Sequence, residues 1–170
     1  MRHILQAIAI IALALLPVDD AGPQPTTSAM PAETTGFIKA LSKLILFDIE
    51  CARLAATRTR DPRVRNFATV LLSDRRRADE SFRSLLAREQ LPVPDDQLGR
   101  RHRGLLERLR QEDSKEFDRA FIDAQRAELD ETIGLVERYA EVGDDEALKS
   151  FAEARLPVLR RQADMLRQLD

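Results

Sequence analysis

The chain has 170 residues, enough for one domain, with 44% hydrophobic residues, 33% charged residues and a formal charge of −2. That balance supplies a core but no global attraction for nucleic acid or anionic lipid, so any such binding needs a local patch. Trp is absent, Tyr139 stands alone and glycine is sparse, which speaks against a sandwich or barrel.

At the start, Arg2 and His3 precede ILQAIAIIALALL, an apolar run that ends at Pro17. The run is shorter than the roughly 20 residues that cross a bilayer as a helix, and it follows a charged start, the pattern of an export signal. Residues 1–21 are therefore expected to be a signal peptide. Ala21 is a poor cleavage site with Asp19 close before it, and Ala29, after Thr27 and Ser28, is a better one, so the signal extends to 21 or as far as 29. The expected destination is the periplasm; an uncleaved signal would tether the protein to the membrane. Residues 22–36, rich in Pro, Thr, Ala and Gly, read as a flexible leader to a domain over 37–170. Cys51 is the sole cysteine, so no intramolecular disulfide forms, and its Ala- and Leu-rich surroundings suit a small core residue.

From Phe37 onward every segment has helical period. Ile38, Leu41, Ile45, Ile49, Ala52 and Ala56 step by three and four residues and define a first long helix. Asp61 and Pro62 end it and start the next, as N-cap and first helical residue. The second helix shows Val64, Phe67, Leu71, Ala78, Phe82 and Leu85, and LPVP at 91–94 breaks it. A shorter amphipathic segment follows, with Leu98, Leu105, Leu106 and Leu109 against a basic face. Asp113 and Glu116 have capping-box spacing ahead of a third long helix with Phe117, Phe121, Ala124, Leu135 and Tyr139. Gly143 then reads as a stop, Asp144 as the next N-cap, and Leu148, Phe151, Leu159, Leu166 and Leu169 as the last helix, kinked at Pro157. Four helices of about 25 residues at about 1.5 Å rise would stand nearly 40 Å tall. Similar lengths and mostly short turns favour an all-α, antiparallel four-helix bundle, with a short extra helix between the second and third long ones.

Four strings in order, DIECARLAA at 48–56, PRVRNFATVLLSD at 62–74, FDRAFIDAQ at 117–125 and LKSFAEARLPVLRRQADM at 148–165, resemble the exported bacterial proteins grouped as domain of unknown function 4142. The resemblance covers about residues 37–168 and implies a ferritin-like four-helix fold. It also implies interior histidines in the second, third and last helices, which would suit a metal. This chain departs from that pattern, with Arg75, Leu129 and Gln162 at the corresponding positions.

The departure makes Arg75 the sharpest question in the sequence. Asp74 and Arg75 share the helix face of Val64, Phe67, Ala78 and Phe82, and Asp48 lies between Ile45 and Ile49 on the first helix. A buried Arg75 would need a carboxylate partner, Asp48 and Asp130 being the candidates, with Asp74 and Gln162 completing an interior polar cluster. The competing environment is the edge of the stripe, where the guanidinium reaches water and the stem covers apolar surface. Carboxylates alone offer another reading, an iron or manganese site built from Glu50, Asp74, Glu128 and Asp130, in a redox or storage protein. His102 lies in RRHRGLLERLR, where a lone histidine among basic neighbours suits contact with a carboxylate or helix end. The arginines of that segment, Arg100, Arg101, Arg103, Arg108 and Arg110, form a positive stripe for peripheral contact with membrane or envelope polymers. No Gly-rich phosphate loop, nucleophile elbow or plausible Cys–His pair occurs. The function expected is non-catalytic: a binding or structural module of the cell envelope, without a cofactor.

Overall fold

The structure, a computed structural model, describes residues 30–169. The expected signal peptide at 1–21, and the leader as far as residue 29, lie outside the described residues. Among those described there are five helices and no strand: α1 (Ala32–Arg58), α2 (Pro62–Arg88), α3 (Arg100–Gln111), α4 (Phe117–Val142) and α5 (Glu146–Arg167). None is long and apolar enough to cross a membrane.

Local chemistry explains most helix ends. Asp61 accepts from the Arg63 N–H at 2.7 Å with Pro62 in the first turn, so α2 starts at the expected cap. Gln90, at φ 57°, turns the chain out after α2. Gly143 follows α4, and a Cβ there would lie 2.5 Å from the Tyr139 carbonyl oxygen, so the close approach requires glycine. Pro157 sits within α5 without ending it; Pro157 and Glu153, whose carbonyl the missing N–H would have met, are both exposed.

Three expectations are corrected. Helix α1 begins at Ala32, inside the expected leader and ahead of Phe37, because Thr34 is buried with its hydroxyl 2.6 Å from that of Tyr139 and donates to Asp144. That contact draws Asp144 away from capping, and Asp145 instead caps α5 by accepting from Leu148 N–H at 2.9 Å. Asp113 accepts from the Lys115 and Glu116 N–H groups at 2.8 and 3.0 Å, closing a turn ahead of α4 in place of a capping box; Glu116 is the N-cap residue and makes no side-chain cap bond.

The four long helices pack in a ring, α1 against α2 and α4, and α5 against α4 and α2. Neighbours run antiparallel. The start of α1 meets the end of α4 through Phe37 and Tyr139, whose rings stack at 3.9 Å, while Arg58 at the other end of α1 lies 4.5 Å above the Phe117 ring. Likewise Phe82 late in α2 meets Phe151 early in α5 at 5.1 Å. Since α2 and α4 both run opposite to α1, the connection between them must travel the length of the ring, and α3 lies along α1 on the way. Each large apolar side chain buried in the shared core contributes about 1.5–3 kcal/mol. The stripes read from the sequence supply that core: Ile38, Leu41, Ile45, Val64, Phe67, Leu71, Phe82, Phe121, Tyr139, Leu148 and Leu159 are all buried.

Candidate functional site

Halfway along the ring, α1, α2, α4 and α5 each send polar groups into the core. Helix phase puts them there: Asp48 is one turn beyond the inward Leu44 and Ile45, and Asp74 and Arg75 are one turn beyond Leu71. Arg75 donates from Nε to Asp48 Oδ2 at 2.7 Å and from Nη1 to Asp74 Oδ2 at 2.9 Å, and both Arg75 and Asp48 are 2% exposed. Gln125 of α4 donates to Asp48 Oδ1 at 3.3 Å. Asp74 also accepts from Arg155 of α5, at 3.3 Å on Oδ1 and 2.6 Å on Oδ2, and from Gln162 at 3.0 Å.

Two carboxylates thus face two guanidiniums, a neutral set. Their environments differ. Burial raises the Asp48 pKa above its ordinary value, against the opposing charge and hydrogen bond of Arg75. Burial also works upward on Asp74, but the hydrogen bond and charge of Arg155, with help from Arg75 and Gln162, outweigh it and hold this carboxyl below the usual range. A cavity of only about 10 Å³ lies between Asp48, Arg75, Thr132 and Arg155.

The residues expected in this cluster separate into two groups. Asp48, Asp74, Arg75 and Gln162 come together. Asp130 does not: it is exposed on α4, lining a surface hollow with Arg126 and Arg167, because Gln125, Glu128, Leu129 and Thr132 take the inward phase of that helix. Gln125 and Arg155 were missed, although their spacing carried the signal. Gln125 stands four residues after Phe121, and Arg155 three after Ala152, each continuing a buried stripe.

The alternative set of Glu50, Asp74, Glu128 and Asp130 does not converge. Glu50 pairs with Arg53 on the outside of α1, Asp74 is within the cluster, Glu128 faces α3 and Asp130 faces solvent. Among the described residues no group of three or more His, Cys, Asp or Glu side chains is placed to hold a metal ion. The cluster itself does not fit iron or manganese either, because Arg75, Arg155, Gln125 and Gln162 turn donors toward the oxygens a cation would need. Cys51 is buried, and burial pushes its thiol pKa far up, which suits packing and not nucleophilic work.

Helix α3 carries a second polar assembly. His102, 6% exposed, stacks on Phe47 at 4.7 Å and places Nε2 2.8 Å from Oε2 of Glu128, itself 2% exposed. Arg101 adds a bridge to Glu128 at 3.0 Å and one to Glu131 at 2.7 Å. At the other end Arg58 donates to the carbonyls of Leu109 and Arg110 at 2.8 and 2.9 Å, satisfying the C-terminus of α3.

The arginine stripe is therefore split, which the sequence did not indicate. Arg101 is spent on α4, and Arg108 is exposed, its Nη1 beside Gly104. Arg100, Arg103 and Arg110 edge a cleft of about 780 Å³ between α3 and α1, with Leu46, Leu98 and Leu106 also in its lining.

Among curated proteins and among solved structures, nothing matches this chain. A family's sequence model does match, over residues 20–169, taking in all five helices and both polar assemblies. The chain belongs to that family, described as Domain of unknown function (DUF4142).

Proposed function

We propose that this protein is an exported, ferritin-like helical bundle of the periplasm that works by binding at its outer surface, without catalysis. The observation that carries the reading is the arrangement of Arg75 and Arg155 around Asp48 and Asp74: the core acids, where a ferritin-like bundle would place a metal, are matched by the chain's own cations. The ring of antiparallel neighbours, with its long connection from α2 to α4, supports the ferritin-like assignment. The apolar run before Pro17 supports export.

A core cluster whose two aspartates are paired with the chain's own arginines leaves the outside of the molecule to do the recognising. A thermal melt of the purified protein with Fe(II), Mn(II) and Zn(II), kept anaerobic, tests this. Melting temperatures that do not move with any of the three are expected. A saturable rise with one of them would mean differential binding to the folded state, and would replace this reading with a metal-dependent one.

A further inference from the structure

The chain folds as two helical hairpins, α1 with α2 and α4 with α5, joined by residues 89–116, which include α3. The buried faces of the hairpins are complementary in charge. Asp48, Asp74 and Arg75 all belong to the first hairpin, and two acids against one cation leave a negative charge unmatched within it. The second hairpin supplies the balance. Arg155 bridges to Asp74 at 2.6 Å, Gln162 donates to Asp74 at 3.0 Å, and Gln125 donates to Asp48 at 3.3 Å. Aromatic pairs span the same boundary, Phe67 with Phe121 and Phe82 with Phe151. None of these contacts requires that both hairpins come from one chain.

The join between them is strained at one residue. The Leu91 N–H reaches back to the Leu86 carbonyl at 2.8 Å, which closes the end of α2 and places Gln90 at φ 57°. Gln90 is the sole residue with a positive φ among those described. Glycine is the usual occupant of that place in such a helix end, because a Cβ in the left-handed region crowds the following carbonyl. Pro92 and Pro94 follow at once and favour extended backbone around them, so the reversal is concentrated on Gln90. Straightened, residues 90–99 reach roughly 30 Å, against about 10 Å between neighbouring helix axes. Helix α3 stays with the second hairpin, since Arg101 and His102 bind Glu128 and Glu131 of α4. A short hinge under strain favours exchange of elements between copies.

We propose that this protein exchanges hairpins with a second copy of itself: the hinge opens at Gln90, and the α4–α5 hairpin of each chain closes on the α1–α2 hairpin of the other. Each core cluster of that dimer is built from two chains, with Asp48, Asp74 and Arg75 from one and Gln125, Arg155 and Gln162 from the other. The buried contacts are those of the monomer. What the dimer gains is the strain released at two hinges, and its share rises with protein concentration.

Asp74→Arg and Arg155→Asp test the exchange. Alone, each variant gathers like charges in its core and should melt well below wild type. Unfolded together in urea and refolded at high concentration, the two should give a one-to-one dimer of twice the monomer mass by light scattering. One of its clusters then has the wild-type pair and the other the same pair with its ends reversed, so it should melt above either variant alone. Wild type refolded in the same way should give dimer too, and Gln90→Gly should lower its dimerisation constant at least about tenfold by relaxing the closed hinge. A mixture that melts as the sum of its parts overturns the proposal, since side-by-side association would leave both faulty cores in place. Wild type that refolds at millimolar concentration without dimer overturns it as well, as does Gln90→Gly dimerising as readily as wild type.

Discussion

Arg75 on α2 and Asp48 on α1 meet at 2.7 Å in the middle of the molecule, each 2% exposed, with Asp74 sharing the same guanidinium at 2.9 Å. A pair this deep is held by geometry as much as by charge. Desolvating both ions is costly, and the attraction offsets that cost only while every partner stays in place.

Replacing Arg75 with Met keeps the apolar stem but leaves Asp48 with Gln125 alone, whereas Asp74 retains Arg155 and Gln162. We expect a loss of about 3–5 kcal/mol in urea unfolding, and recovery of most of it when Asp48→Leu is added, because an apolar pair removes the stranded charge. A single mutant as stable as wild type would show that the buried pair is not what holds this region.

The two aspartates should leave opposite marks on the pH dependence. Asp74 has a lowered folded pKa, so its stabilisation is present above the unfolded value and is lost as pH falls through the folded one. For Asp48 the folded pKa is raised, so its contribution is fullest below the unfolded value and declines as pH rises through the folded one. Urea midpoints from roughly pH 3 to 7 should therefore fall less steeply on the acid side in Asp74→Asn, where Asp61 and Asp113 still contribute, and decline less above about pH 4 in Asp48→Asn. An Asp48→Asn curve parallel to wild type would contradict the assignment.

His102→Ala removes the ring stacked on Phe47 and leaves Glu128 paired only with the more exposed Arg101. Loss of that buried hydrogen bond should weaken the docking of α3 by about 1–3 kcal/mol. Hydrogen exchange should quicken in residues 100–111 while α1 and α2 keep their protection. Uniform acceleration across all five helices would mean that α3 unfolds only with the whole.

Much of this protein was legible in its sequence, for reasons that are local. Steps of three and four residues marked the helices, and Asp61–Pro62, LPVP and Gly143 marked where they stop, because caps and breakers act within one turn. The same periodicity put Asp48, Asp74 and Arg75 on inward faces. What it could not settle was partnership, since phase tells which way a side chain points and not which helix it meets. Only the ring order of the four long helices brought Gln125 and Arg155 to the cluster and left Asp130 outside it. The same is true at the ends and edges of the fold. Asp145 caps α5 because Asp144 is drawn to Thr34 across the molecule, and the arginines of α3 serve different neighbours because the helix is wedged between α1 and α4. Contacts over such separations depend on how amphipathic faces find each other, and that is decided by the packing of the whole chain.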